Sequence, residues 1–106
     1  MDAKSIKKLI QLKDIYKILA LLKEDGWTEA KSTEYLGNVS LVDVFNADEL
    51  ACSPNVKLGE GEYLSACLYD NVSTAKDWLW MVIMLDKKFG NGRMPKAIYF
   101  YVKKKA

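Results

Sequence analysis

The sequence contains no histidine. That absence removes the commonest general base and the usual partner of a serine or cysteine nucleophile. Its only thiols are Cys52 and Cys67. Structural zinc takes four ligands at characteristic spacings, so two cysteines without a CxxC pair or a histidine point to no metal site. They read as two small buried or half-buried thiols, and neither has a basic neighbour in sequence to lower its pKa. Long apolar runs are also missing. The longest, Trp78–Leu85, is far shorter than the roughly 20 residues of a membrane-spanning helix. The start, Met1–Lys8, scatters charge where a secretory signal would place an unbroken apolar segment. The expectation is a cytoplasmic protein without membrane contact.

No repeat, low-complexity tract or Pro/Gly/Ser linker divides the 106 residues. A chain of this length suits a single domain over residues 1–106, long enough to bury a core without disulfides or metal. Half of its residues are apolar and 28% are charged, a globular balance rather than a disordered one.

Catalytic motifs are likewise missing. GxSxG, HExxH, GxxxxGK[ST] and GxGxxG do not occur. Gly90-Asn91-Gly92-Arg93 is glycine-rich, but it precedes a proline rather than opening a helix after a strand, as a phosphate cradle would. Glu60 with Glu62, and Asp48 with Glu49, are the carboxylate pairs on offer. Both sit on turns, where solvated surface acids are expected rather than a glycosidase-like pair across a cleft. A helix-turn-helix rhythm over Leu21–Ser40 would put Asp43, Asp48 and Glu49 on the recognition helix, the wrong charge for a polyanion. The expectation is no enzyme and no cofactor.

Local patterns give a coarse architecture. Leu9, Leu12, Tyr16, Leu19 and Leu22 form one stripe at helical spacing, and Gly26 suits a left-handed C-cap. The stripe belongs to one long helix or to a pair broken near Leu12-Lys13-Asp14. Val39–Phe45 reads as a β-branched strand, Asn46–Leu50 as a single helical turn and Ser53-Pro54-Asn55 as a loop. Gly59–Gly61 is a turn feeding Glu62–Tyr69, whose apolar residues alternate with period two. Trp78–Leu85 fits a buried helix or a buried strand. Helix is preferred because Thr74–Asp77 resembles a capping box, Lys87 and Lys88 suit a C-terminal dipole, and Gly90 supplies a stop. After a loop over 90–95, Ala97–Val102 is the last strand. The fold class is α+β: an N-terminal helix or helix pair, an antiparallel sheet of about four strands, and a second buried helix before the last strand, in the order α-β-β-β-α-β.

Charge is unevenly spread. Residues 1–28, 29–70 and 71–106 carry formal charges of +2, −6 and +6 within a total of +2. Compensation between the middle and the end is the plain reading. Two sharper ones follow. The first is a non-enzymatic protein-binding module, such as a small inhibitor or immunity-type antagonist that covers a basic surface on a larger partner. Its candidate contacts are Trp27, Asp48, Glu49, Glu60, Glu62, Tyr63 and Tyr69, with Tyr63 and Tyr69 facing outward from a strand whose leucines face the core. The second is a nucleic-acid-binding regulator using Arg93, Lys96, Tyr99, Tyr101, Lys103, Lys104 and Lys105, helped by Lys87 and Lys88. In it, tyrosines stack on bases beside phosphate-binding lysines.

Overall fold

A computed structural model describes residues 3–30, 48–53, 55–70 and 78–105. The N-terminal stripe forms two helices, α1 (Ala3–Ile10) and α2 (Ile15–Glu24). Asp14 makes the break. Its extended backbone starts α2, and its carboxylate accepts from the Tyr16 and Lys17 backbone N–H groups at 3.1 and 3.3 Å, satisfying donors that a helix start leaves free. Gly26 ends α2 with φ +90°. The Gly26 N–H donates to the Lys23 carbonyl and the Trp27 N–H to the Leu22 carbonyl, the two bonds of a Schellman stop.

Six strands follow: β1 (Thr28–Glu29), β2 (Asp48–Cys52), β3 (Val56–Lys57), β4 (Glu62–Asp70), β5 (Trp78–Phe89) and β6 (Gly92–Lys104). A 3₁₀ turn, Gly59–Gly61, separates β3 from β4. The pairings are antiparallel in the order β1-β6-β5-β4-β2, and β3 also pairs with β4. β2 and β3 lie along the same edge of β4. The buried Ser53 links them, its backbone N–H donating to the Ala66 carbonyl at 2.8 Å and its hydroxyl accepting from the Ala66 N–H at 2.9 Å.

Three sequence expectations are corrected here. The second buried helix is not formed, because Trp78–Leu85 lies inside β5, paired with β4 on one side and β6 on the other. The run is continuously apolar because alternate residues serve two cores. Met81, Ile83 and Leu85 join Leu64, Ala66, Leu68 and Tyr101 beneath α1 and α2, while Trp80 and Val82 pack with Tyr69 and Val102 on the far side. A central strand buried on both faces loses the alternation that would identify it. The loop over 90–95 shrinks to Gly90-Asn91, since Phe89 pairs with Gly92. Gly90, at φ +57°, occupies the first position of this two-residue turn, where type II′ hairpins place glycine. Asp48–Leu50 of the expected helical turn is strand, part of β2. The Val39–Phe45 strand and the Thr74–Asp77 capping box fall outside the described residues.

Cys52 and Cys67 face each other across β2 and β4 and form a disulfide. The expectation of two thiols is therefore corrected. The cysteines are 15 residues apart in sequence, and strand register brings them together.

Candidate functional site

The acidic and aromatic candidates occupy separate places. Trp27 and Tyr69 are only 3% and 7% exposed. Trp27 packs under the helices, with its indole N–H donating to Asp25 at 3.2 Å. Tyr69 belongs to the far-side core, which corrects its outward placement. Burial, and then the carboxylate of Glu49 opposite it, raise its phenol pKa. The half-buried Tyr63 lies beneath the Arg93 guanidinium, 4.5 Å from ring centre to carbon. Glu62 pairs with Lys96 at 3.5 Å. Of Asp48 and Glu60 only the backbone is described, in β2 and in the 3₁₀ turn. Six residues of strand separate Tyr63 from Tyr69, roughly 20 Å at the usual rise, and burial withdraws Trp27 and Tyr69 from any partner surface.

The basic set is largely engaged. Lys96 has Glu62 and Lys105 has Asp70. Lys103 donates to the Asp25 carbonyl at 2.6 Å and lies 3.5 Å from its carboxylate. With its amide oxygen turned toward Arg93, Asn55 accepts from Nη1 at 3.0 Å. Tyr101 is 1% exposed, and Tyr99 packs against the core under the helices. Tyr101 therefore offers no face for stacking. Lys104 is exposed. Two of these pairs, Lys96–Glu62 and Lys105–Asp70, join the basic end of the chain to its acidic middle. Such exposed pairs contribute about 0–1 kcal/mol each, enough to occupy the groups without anchoring the fold.

A different surface stands out where β5 and β6 outrun the sheet. β4 begins at Glu62, opposite Lys87, so residues 88–93 pair only with each other. Lys88 and Arg93 are directly opposed, a like-charge arrangement that weakens a strand pair. Phe89 and Met94 are 71% and 55% exposed, after Tyr16 the most exposed large apolar side chains among the described residues. No protein-family model, curated protein or solved structure matches this chain. The surface is therefore read from its own chemistry.

Alternation continues from Leu85 through Lys87 to Phe89, placing these residues on the helix side of the ribbon, with Met94 opposite Lys87. A shallow depression of about 330 Å³ runs among Lys87, Phe89, Met94 and Lys96. Next to it, an open groove of about 500 Å³ has Leu58, Leu85, Ala97 and Tyr99 as its floor. Lys13 and Tyr16, from the α1–α2 junction, form its rim, and Tyr16 is 82% exposed. The Glu62–Lys96 pair lies between groove and ribbon. α1 packs over β2 and β4, and among the described residues no helix covers this end of the helix-side face.

Sequence reasoning missed Phe89, Met94, Lys13 and Tyr16. A helix ending at Gly90 had turned the ribbon into a loop, so its exposed apolar residues carried no signal.

Two further clusters do not build a reactive centre. Glu49 and the two cysteine sulfurs have ligand atoms within 4.8 Å of one another, but sulfurs bonded to each other offer no thiolate. Asp86 is half-buried, with one carboxylate oxygen unpartnered among the described residues. Its cross-strand neighbours are Tyr63 and Pro95, neither of which supplies the second carboxylate that paired acid–base chemistry requires.

Proposed function

We propose that this chain is a non-enzymatic protein-binding domain, and that it binds through the β5–β6 ribbon and the adjoining open groove. One observation carries the reading. Exposed Phe89 and Met94 sit among Lys87, Lys88 and Lys96 on a ribbon projecting beyond its own sheet. Large apolar residues inside a polar rim fit a protein interface, where Phe and Met are enriched. The inhibitor or antagonist role remains part of the proposal. The partner face it favours is acidic with an apolar pocket, rather than the basic face inferred from residues 29–70. Nucleic acid is the weaker reading, because Tyr101 is buried and Lys96, Lys103 and Lys105 are each paired with a carboxylate.

No helix among the described residues is long and apolar enough to cross a membrane. A cytoplasmic location is the proposal that accompanies this reading. It places the Cys52–Cys67 pair where glutathione and thioredoxin keep most thiols reduced, so the disulfide would form there only transiently.

Capture from nuclease-treated native extract, comparing wild type with a Phe89→Asp, Met94→Asp variant, tests the function. The proposal expects a protein retained by wild type and lost from the variant. Equal retention by both, or retention abolished by nuclease, contradicts it.

A further inference from the structure

The groove and the ribbon form one continuous strip on the helix side of the sheet. Apolar residues run along its middle: Leu85 and Tyr99 in the groove, then Met94 and Phe89 on the ribbon. Lys13 stands at the groove end and Lys87 on the ribbon beside Met94. The two acids on the strip already have roles, Asp14 as the cap of α2 and Glu62 as the partner of Lys96. Among the described residues, the cations left over are thus Lys13 and Lys87 on the strip, with Lys88 beside them.

A sheet face covered by helices at one end and open at the other calls for another helix as its natural cover. From Ile83, which pairs with Tyr99, to Phe89 is six residues of strand, roughly 20 Å. A helix of about 14 residues spans that distance at 1.5 Å per residue. An apolar stripe at i, i+3, i+4 and i+7 would enter the groove and cover Met94 and Phe89, as in other helix-in-groove complexes. Acidic residues flanking the stripe would meet Lys13 and Lys87.

We infer that the strip seats an acidic amphipathic helix of the partner protein, extending the helical layer that α1 and α2 begin. The inference rests on the protein-binding reading and adds the chemistry and secondary structure of the occupant. Extended strands and phosphate backbones are the alternatives it rejects. A strand would have to pair along an edge rather than lie across the groove floor, and a phosphate backbone offers no apolar stripe to cover Leu85, Met94 and Phe89.

A displayed library of random 20-residue peptides tests this directly. It is selected on the folded wild-type protein and counter-selected on a Lys87→Glu, Phe89→Ala variant, whose fold is checked by circular dichroism. Selected peptides should carry apolar residues at helical spacing with Asp or Glu flanking them. Their synthetic versions should gain helicity on binding and lose at least about tenfold in affinity to the variant, the loss expected when a hot-spot anchor is removed. Raising salt should weaken them. Selected peptides with period-two or basic patterns, or peptides that bind both proteins equally, overturn the inference. So does an empty selection. If period-two peptides depend on Phe89, the protein-binding reading survives and the helical occupant does not. If a duplex oligonucleotide or an anionic phosphatidylserine vesicle binds in their place with the same dependence on Phe89, both fall.

Discussion

Gly26 holds φ at +90° where α2 stops, and a Cβ placed there would lie 3.6 Å from the Lys103 side chain. Space is therefore adequate, and the obstacle to substitution is the backbone conformation, which residues with a side chain disfavour. Gly26→Ala should lower stability by about 1 kcal/mol, read from chemical denaturation. No loss would mean that the helix ends differently in solution. Tyr101 makes a second residue-level statement. Burial, with smaller contributions from Glu29 and the Tyr99 phenol, raises its pKa above the ordinary 10.0. A phenol raised in the folded state keeps its proton longer there than in the unfolded chain. Its contribution is therefore whole below about pH 10 and is lost as pH rises through the folded value. Above pH 10, wild-type stability should fall more steeply than that of Tyr101→Phe. Parallel curves would contradict the burial of this hydroxyl.

At the scale of elements, legibility depended on whether one face of a segment meets water. α1 and α2 were legible as helices from apolar spacing, although Leu12 and Tyr16 of that stripe are exposed and Ile6, Ile10 and Ile18 are buried instead. β4 was legible through the alternation of Leu64, Ala66 and Leu68 with more polar residues. β5 did not, because Trp80 and Val82 are as buried as Met81 and Ile83. The Cys52–Cys67 bond was hidden for a related reason. It depends on the register of β2 against β4, including a shift between Glu49 and Ala51, which no local pattern encodes. A cross-link with a 15-residue separation constrains the unfolded chain by about 3 kcal/mol. For a domain of this size, each kcal/mol moves the midpoint by about 4–8 °C. Reduction, or Cys52→Ser with Cys67→Ser, should thus lower the melting temperature by more than about 10 °C. A midpoint indifferent to reductant would show that the pair is open in solution.

Across the whole molecule, the charge division visible in the sequence resolves partly into compensation. Lys96 and Lys105 from the basic end meet Glu62 and Asp70 from the acidic middle, and Lys103 closes on the end of α2. Segment charges were readable from composition, but the pairing depends on β4, β5 and β6 lying side by side. The candidate site was legible only in part. Lys87, Lys88, Arg93 and Lys96 were visible as a basic cluster, while its apolar anchors became visible only once β5 and β6 formed a projecting ribbon. What composition could not assign to either sign of partner, the fold concentrates at one end, where cations surround exposed Phe89 and Met94.

Under the proposed function this end, and not the acidic edge near Glu49, meets the partner. A photo-crosslinking amino acid placed at position 89, and separately at position 49, tests it in the native cell. The account predicts a discrete protein adduct from position 89 and none from position 49. An adduct from position 49 alone, or a nucleic-acid adduct from position 89, would contradict it.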